Sequence, residues 1–402
     1  MNKVYVVGAK RSAIGSFMGT LSPLHPADFG SQVLKSMLDE LNVDKKAIDE
    51  VLVGNILPAG LKQGVARQIS IKSGIPSSVP AYGVNMVCGS GMKSVMNGFQ
   101  SIALGLNHLV VAGGVESMSN TPFLVPSQVR QGVKMGEQVL RDHMLYDALT
   151  DAFEGYHMGI TAEHIVEKYS LTREEQDEFA ILSQQKAITA QDAGKFKDEI
   201  VPILIPGRKG DTIFDQDEYI NRQTSLEKLS QLRPAFKKDG SVTAGSSSGI
   251  NDGASFMLLA SEEAVKKYNL TVLAEVIGIG QGGVDPSVMG LGPTPAIRQA
   301  LKHANLKLSD IEIFELNEAF AAQSLGVIKE LTEEHHVTKE FILERCNLNG
   351  GAIALGHPVG ASGNRIMVTL LHEMMKSNKA LGLASLCIGG GMGTAVILKK
   401  VN

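Results

Sequence analysis

The chain has 402 residues, 44% of them hydrophobic, which is enough to bury a large core and corresponds to two or three domains. Charged residues make up 20% and the formal net charge is −4, so neither sign of charge dominates. This balance argues against nucleic acid or an anionic membrane as partner, and any anionic ligand must be bound by local groups.

Strand and helix patterns alternate from the N-terminus onward. Residues 4–7 predict a strand with no room before it for a signal peptide, which favours a cytoplasmic protein. The elements predicted next are a helix at 31–41, a strand at 51–53, a helix at 93–104 and a strand at 109–111. Apolar strands between helices indicate a mostly buried α/β sheet that is covered on both faces.

The middle of the chain differs in character. A long polar helix is predicted at 172–193, and loops dominate after it, so residues 120–249 predict an inserted domain that carries specificity loops. Residues 253–267 then predict the strand and helix that complete the first half. The predicted domains are residues 1–119 with 250–270, the loop domain 120–249, and residues 271–402.

The C-terminal part returns to alternating elements. They are predicted to be a strand at 311–314, a helix at 317–331, a helix at 362–375 and a strand at 382–388. The uncharged run 380–398 approaches membrane-spanning length, but it contains five glycines. Two buried strands around residues 388–391 are the better interpretation, and no membrane association is expected.

The two ends of the chain share one pattern. A glycine-containing turn at 85–91 precedes a helix and a strand that ends in glycines, and residues 347–363 begin a similar series. The pattern predicts two related α/β halves, although the pattern alone leaves duplication and chance about equally open.

Cys88 is the first residue that suggests chemistry. It precedes Gly89-Ser90-Gly91, which opens a helix, and a thiol at a helix N-terminus has its thiolate stabilised by the dipole and free N–H groups. The glycines would also let a carbonyl oxygen approach backbone donors. A small buried core cysteine is the alternative, and the local sequence does not decide between them.

His357 lies in the glycine-rich run 349–363 and is followed by Pro358, which holds it in extended backbone. So many glycines around one histidine favour a general base over a structural role.

Cys387 precedes the turn 389–391 and fits either a nucleophile or base, or a buried strand residue. Cys346 lacks such a setting and is expected to pack in the core. None of the three cysteines has metal-ligand spacing, and their odd number indicates free thiols. Asn317 follows a predicted strand, where it could cap the next helix or hold a ligand.

Two patterns are discounted. Residues 278–283 match the dinucleotide-binding glycine pattern, but no helix follows them directly. The pair His335 and His336 lies in a polar stretch and predicts a solvated surface, not a metal site.

Four blocks, in order and spanning nearly the whole chain, resemble the thiolase family. They are residues 85–94, 317–320, 349–363 and 387–393. The resemblance implies a five-layered α/β/α/β/α core of two duplicated halves with an inserted loop domain, usually assembled as a homotetramer.

The resemblance also implies roles for the candidate residues. Cys88 would be acylated, His357 would activate it, and Cys387 would move the α-proton of acetyl-CoA. Asn317, through a water, and His357 would form one oxyanion site, and the N–H groups of Cys88 and Gly389 the other. This chemistry needs no cofactor and no metal, because CoA and acetyl-CoA are the substrates.

Within the family, the sequence most closely resembles the short-chain, biosynthetic branch. His157 and Met158, with Met289, carry that resemblance, and Ser248 matches a residue that binds the pantetheine arm. The remaining residues expected along the CoA channel are Leu149, Leu232, Phe236, Ala244, Gly245, Ala319 and Phe320. At the nucleotide end the sequence departs from this branch, because Asn221 and Lys228 stand where Arg and Ser are usual. Arg222 is the candidate replacement.

The sequence therefore predicts an acetyl-CoA C-acetyltransferase that condenses two acetyl-CoA into acetoacetyl-CoA and CoA, with lipid metabolism as its setting. A broad-chain 3-ketoacyl-CoA thiolase of fatty-acid degradation is the alternative. A non-catalytic CoA- or lipid-binding homologue is a remote third, since all four catalytic positions are filled. Direction, pathway, chain-length limit and a disulfide between Cys88 and Cys387 stay open.

Overall fold

A computed structural model describes residues 2–401. Its strands are β1 (Val4–Ser12), β2 (Gly15–Ser16), β3 (Glu50–Gly54), β4 (Ala81–Val84), β5 (Leu109–Ser117), β6 (Phe123–Leu124), β7 (Arg141–Asp142), β8 (Ile200–Val201), β9 (Ile203–Ile205), β10 (Thr212–Phe214), β11 (Asn251–Ser261), β12 (Ala274–Gly283), β13 (Ile313–Leu316), β14 (Leu381–Ile388) and β15 (Met392–Lys400). The long strands are almost entirely buried, as the continuous apolar runs of the sequence predict.

The helices surround and separate these strands. They are α1 (Pro26–Glu40), α2 (Val65–Lys72), α3 (Ser90–Ala103), α4 (His143–Ala148), α5 (Met158–Tyr169), α6 (Arg173–Asp192), α7 (Leu226–Ser230), α8 (Glu262–Tyr268), α9 (Pro293–Ala304), α10 (Ala321–His335), α11 (Lys339–Leu343), α12 (Ala352–Leu355) and α13 (Val359–Ser377). No helix between residues 2 and 401 is long and apolar enough to cross a membrane.

The main sheet consists of two similar halves. Its order is β13-β14-β15-β12-β1-β11-β5-β3-β4, and the halves join where β1 pairs briefly with β12. In the first half, β1 pairs antiparallel with β11, β11 pairs antiparallel with β5, and β5 pairs parallel with β3. In the second half, β12 pairs antiparallel with β15, β15 pairs antiparallel with β14, and β14 pairs parallel with β13. The same irregularity occurs in both first strands, between Val6 and Gly8 in β1 and between Val276 and Gly278 in β12. The predicted duplication is therefore confirmed.

Five layers follow from how the helices cover this sheet. One outer apolar cluster joins α1 to the first half, and another joins α9 and α10 to the second half. The middle cluster lies between the halves and contains the apolar sides of α3 and α13, such as Met92, Phe99 and Ile366. α13 is buried along nearly its whole length because both sheet halves cover it.

Glycines let α3 and α13 touch by their backbones near their first turns. A Cβ atom on Gly91 would lie 2.9 Å from the Asn364 nitrogen, and one on Gly363 would lie 2.6 Å from the Met92 nitrogen. A Cβ on Gly114 would collide with the backbone of Gly360. Only glycine permits this approach, and it brings the segments that precede both helices together.

The region between the halves contains short elements and one long helix, α6. This helix begins with a capping box in which Thr172 and Glu175 satisfy each other's backbone N–H groups. The predicted helix at 172–193 is confirmed, and so are the strand and helix expected at 253–267, which are β11 and α8. The predicted domain boundaries stay predictions.

Two predicted elements begin later than expected. The strand at 311–314 is β13, Ile313–Leu316, because Ile311 closes a 3₁₀ turn by donating to the Leu308 carbonyl at 3.1 Å. The helix expected at 317–331 begins at Ala321. Phe320 is extended and pairs with Ser247, and the Ser248 N–H donates to the Ala319 carbonyl at 2.9 Å, which delays the helix.

Candidate active site

A cavity of about 460 Å³ opens at the ends of the two halves, where α3 and α13 begin. Cys88, His357, Cys387 and Gly389 all line it, although they come from three distant parts of the chain. Most of the other lining side chains are apolar. A cavity with a few convergent polar groups in an apolar wall is the usual form of a small-molecule site.

Cys88 lies in a tight turn between β4 and α3. The residue before it, Val87, has a φ of +45°, which a β-branched residue adopts only under strain. Ser90 holds this turn, because its hydroxyl accepts from the Met86 N–H at 2.8 Å and donates to the Val87 carbonyl at 2.6 Å. The half-buried thiol is thereby presented to the cavity.

Burial and hydrogen bonds act on the Cys88 thiol in opposite directions. Loss of solvent raises its pKa to about 11, while the backbone N–H groups of Gly389 and of Cys88 itself favour the thiolate. At neutral pH the residue is a thiol, so it needs a base to become a nucleophile. The two N–H groups that meet the sulfur are also suited to an oxyanion formed beside it.

His357 is held by its backbone and by its ring. The Asn251 Oδ1 accepts the His357 backbone N–H at 2.8 Å, and the ring Nδ1 lies 2.5 Å from the Ser362 hydroxyl. That hydroxyl also donates to the Pro358 carbonyl at 3.0 Å. Because it has one proton, it must accept from an Nδ1–H, which leaves Nε2 as the basic nitrogen. Burial lowers the pKa of His357 to about 4, so the ring is neutral at pH 7.

Cys387 lies near the end of β14, just before the turn of Gly389, Gly390 and Gly391. The last two of these glycines have φ values of +86° and +83°, which explains the glycine run. The thiol is 1% exposed, and burial together with nearby Cys88 raises its pKa far above the usual range. Cys387 is therefore a neutral thiol that can act as an acid.

Asn317 is buried directly after β13, next to the end of β14, and does not line the cavity itself. Its N–H donates to the Ser385 carbonyl at 3.0 Å, but neither side-chain atom has a partner within residues 2–401. The alternative role as a helix cap is wrong, because α10 begins four residues later. A buried amide without a partner is available to a water or a ligand.

Nine of the residues expected along the CoA channel line the cavity. They are Leu149, His157, Met158, Phe236, Ala244, Ser248, Met289, Ala319 and Phe320. His157 stacks on Phe236 with ring centroids 4.8 Å apart, and Phe236 meets Phe320 edge-on at 5.8 Å. The His157 Nδ1 accepts the Gly159 N–H at 3.0 Å, so the ring presents an Nε2–H.

Four expected residues lie outside the cavity lining. Gly245 and Leu232 contact each other beside it, and Lys228 donates to the Gln223 carbonyl at 2.9 Å. Arg222 forms an exposed ion pair with Asp192, with atoms 2.6 Å apart.

Two family models match nearly the whole chain. The description "Thiolase, N-terminal domain" matches residues 4–263, and "Thiolase, C-terminal domain" matches residues 270–400. The chain belongs to the thiolase family. It is an acyltransferase, and its Cys88, His357 and Cys387 occupy the motifs that first suggested this family.

Curated relatives and solved structures place this thiolase among close homologues. It is 51% identical over 401 residues to a "Probable acetyl-CoA acyltransferase" of Staphylococcus aureus, with both chains covered completely. An acetyl-CoA acetyltransferase from Syntrophomonas wolfei superposes with a TM-score of 0.97 at 41% identity, with all of both chains covered. Human mitochondrial 3-ketoacyl-CoA thiolase gives 0.94 at 42% identity, covering 100% of this chain and 99% of the human one.

The sequence analysis did not single out several residues of the thiolase cavity. Its wall also contains Ser16, Phe17, Met118, Ala148, Tyr219, Ser247, Gly249, Ile250 and Val359. Isolated apolar residues in loops give no local signal, because only the fold brings them to one place. Asn251 and Ser362, which hold His357, were likewise not singled out, although Ser362 lies within the glycine-rich block 349–363.

Proposed function

We propose that the chain is an acetyl-CoA C-acetyltransferase that interconverts two acetyl-CoA with acetoacetyl-CoA and CoA. The observation that carries this proposal is the meeting of Cys88, His357 and Cys387 in one mostly apolar cavity. A thiol with a neutral base supports acyl transfer, and a second buried thiol supports proton transfer at carbon. One relative is named a probable acetyl-CoA acyltransferase and one solved structure an acetyl-CoA acetyltransferase, which supports acyl transfer that involves acetyl-CoA.

Thiolysis begins with attack on the 3-keto group of acetoacetyl-CoA. His357 Nε2 takes the Cys88 proton as the sulfur bonds to the carbonyl carbon, and the N–H groups of Cys88 and Gly389 receive the developing oxyanion. The bond between C2 and C3 then breaks. Acetyl remains on Cys88, and the electron pair stays on the leaving acetyl-CoA as an enolate.

Cys387 completes the first product. Its thiol gives its proton to the enolate carbon, and until then His357 stabilises the enolate oxygen together with Asn317, which acts through a water. The Cys387 thiolate next takes the proton of an incoming CoA thiol, whose sulfur attacks the acetyl group. Cys88 leaves and recovers its proton from His357, so both thiols return to their starting state. Condensation follows the same steps in reverse.

The part of the cavity wall beside Cys387 favours a short acyl chain. His157 and Phe236 form a stacked pair, and Phe320 closes on it edge-on. Met158 and Met289, both buried, pack into the same cluster beside Cys387. A long acyl chain would have to displace these packed side chains. The apolar contacts that they make with one another would be lost, and binding of the long chain would be less favourable.

Parallel thiolysis of acetoacetyl-CoA and 3-ketohexadecanoyl-CoA tests this specificity. We expect fast cleavage of the short substrate and at least about tenfold lower kcat/KM on the long one, which corresponds to the 1–3 kcal/mol that pocket size can discriminate. Equal rates on both would contradict the short-chain assignment. A Cys88→Ser protein that keeps thiolysis would contradict the mechanism.

A broad-chain 3-ketoacyl-CoA thiolase is the second candidate. It is favoured by the superposition on the human mitochondrial enzyme of that name and by the mostly apolar cavity wall, to which half-exposed Phe17 contributes. Replacing His157 by alanine separates the two candidates further. The variant should gain relative activity on the long substrate only if His157 limits chain length.

CoA would enter along the side of the cavity that Leu149, Ala244 and Ser248 form, with Gly245 and Leu232 beside it. Lys228 and Arg222 lie further out and are proposed to meet the nucleotide phosphates, although Arg222 now pairs with Asp192. Substituting Arg222 by alanine should raise the KM for CoA and leave kcat unchanged, because the residue is distant from the thiols.

We also propose that the chain forms a homotetramer. Phe123, Met135 and Val139 are exposed by 62%, 95% and 69%, and they lie on one excursion between β5 and α4. β4 ends one side of the sheet with an unpaired edge. Exposed apolar side chains and a free edge are surfaces that a second copy of the chain would cover. Light scattering during size-exclusion chromatography tests this, and a monomeric mass would contradict it.

A further inference from the structure

Glu116, at the end of β5, is a completely buried carboxylate for which the proposed reaction has no use. Its two oxygens accept four hydrogen bonds. Oε1 accepts from Asn55 Nδ2 at 2.8 Å and the Leu57 N–H at 3.2 Å. Oε2 accepts from the Ile56 N–H at 3.1 Å and the Gly360 N–H at 2.9 Å. All four partners donate, so the hydrogen bonds favour the ionised carboxylate, whereas burial acts in the opposite direction and raises the pKa of Glu116 to about 8.

These partners belong to different halves of the fold. Asn55, Ile56 and Leu57 follow β3 in the first half, whereas Gly360 is the second residue of α13 in the second half. The Gly360 N–H is one of the free donors of a helix N-terminus, where a negative charge is stabilised. A Cβ on Gly360 would collide with Glu116 Oε2, so the carboxylate meets the helix directly.

Both ends of this link adjoin the reacting groups. Gly360 is three residues after His357, and Ser362 in the same turn holds the His357 ring. On the other side, Ile56 and Leu57 pack in one apolar cluster with Cys88. One carboxylate therefore joins the segment that carries the base to the residues that support the nucleophile.

We propose that Glu116 is a positioning residue that fixes the first turn of α13, and with it His357, at the distance from Cys88 that proton transfer requires. This inference rests on the roles proposed above for Cys88 and His357. Glu116 does not line the cavity and touches no reacting atom, so it acts through His357. In its ionised form Glu116 has a separate, smaller effect on Cys88, because its charge disfavours the thiolate and raises the pKa of Cys88.

Glu116→Gln keeps the size of the side chain, removes its charge and turns two of the four contacts into donor–donor clashes, and comparison with the His357→Ala background separates positioning from charge. The probe is the rate at which iodoacetamide alkylates Cys88 at pH 7, measured in the wild type, Glu116→Gln, His357→Ala and the double variant. If Glu116 positions His357, the Gln variant should react about 10- to 100-fold more slowly than the wild type. In the His357→Ala background the same change should not slow the reaction, because only the charge effect remains.

Equal slowing in both backgrounds would overturn the positioning role, because independent effects add to within about twofold. Thiolysis of acetoacetyl-CoA gives a second readout, in which kcat should fall while KM stays unchanged. Absence of thiolysis in the wild type would refute the proposed function alone, since the alkylation cycle does not depend on it.

Glu163→Gln is the matched control. Glu163 is 2% exposed, and its carboxylate accepts hydrogen bonds from the backbone N–H groups of Ser241 at 2.9 Å and Val242 at 2.8 Å. Neither of these partners belongs to α13. This variant should lose thermal stability as Glu116→Gln does, yet keep an alkylation rate within about twofold of the wild type. A comparable loss of Cys88 reactivity in the control would show that general destabilisation, not positioning, causes the effect.

Discussion

Replacing Ser362 by alanine removes the one group that fixes which nitrogen of His357 is basic. In the native site the hydroxyl accepts from Nδ1–H at 2.5 Å and donates to the Pro358 carbonyl at 3.0 Å. Without it, Nδ1–H is buried without a partner. The ring can escape this cost by moving its proton to Nε2, but that form cannot take the proton from Cys88.

The size of the expected loss in rate follows from the burial of Ser362 and His357. Ser362 is 0% and His357 6% exposed, so water does not readily replace the lost acceptor. Leaving a buried donor unsatisfied costs about 1–3 kcal/mol, which corresponds to a loss of about 5- to 150-fold in rate. We expect kcat for thiolysis of acetoacetyl-CoA to fall by this factor, with little change in KM because Ser362 does not line the cavity.

Ser94→Ala is the control for this experiment. Ser94 is also 0% exposed and lies on α3, where its hydroxyl reaches the Gly91 and Gly113 carbonyls, both at 2.8 Å. It touches no catalytic side chain, so its loss should lower thermal stability and leave kcat nearly intact. If Ser362→Ala keeps the wild-type kcat, or if both variants lose activity equally, the tautomer argument is wrong.

Three further outcomes are expected. Cys387→Ala should lose thiolysis by about 10²- to 10⁴-fold and lose to a similar extent the exchange of solvent deuterium into the acetyl group of acetyl-CoA, and a variant that keeps this exchange would contradict the role of Cys387 as the carbon acid. Since the pKa of His357 is lowered to about 4 and that of Cys88 raised to about 11, kcat/KM should fall only as the pH drops toward 4, and an acid limb near the ordinary imidazole value of 6.5 would contradict a neutral buried ring. Gly114→Ala should place a methyl group against Gly360, destabilise the fold and lower activity, as thermal unfolding and thiolysis rates would show.

Much of the fold could be predicted because its signals are local. Continuous apolar runs gave the strands β1, β3, β5 and β14 within a few residues, and glycine runs marked the turns beside Cys88, His357 and Cys387. The start of α10 could not be predicted in this way. It depends on pairing between residues 247–248 and 319–320, which lie far apart in sequence.

The candidate site shows the same limit. Motifs pointed to the residues that carry chemistry, since thiols and histidines beside glycines are rare and informative. Asn251 and Glu116, which hold the segment that carries His357, are ordinary polar residues whose partners there lie 106 and 244 positions away. No pattern of neighbours along the sequence reveals such a contact.

The place of β1 in the sheet has a consequence for how the chain folds during synthesis. β1 leaves the ribosome long before β11 and β12, its two long neighbours in the sheet, which span residues 251–283. The nascent chain must therefore hold an apolar strand unpaired until most of the protein has been made. Such long-range pairing is slow and leaves strand edges open to aggregation. The yield of folded protein on expression should therefore depend on translation speed and on chaperones, even if the finished fold is stable.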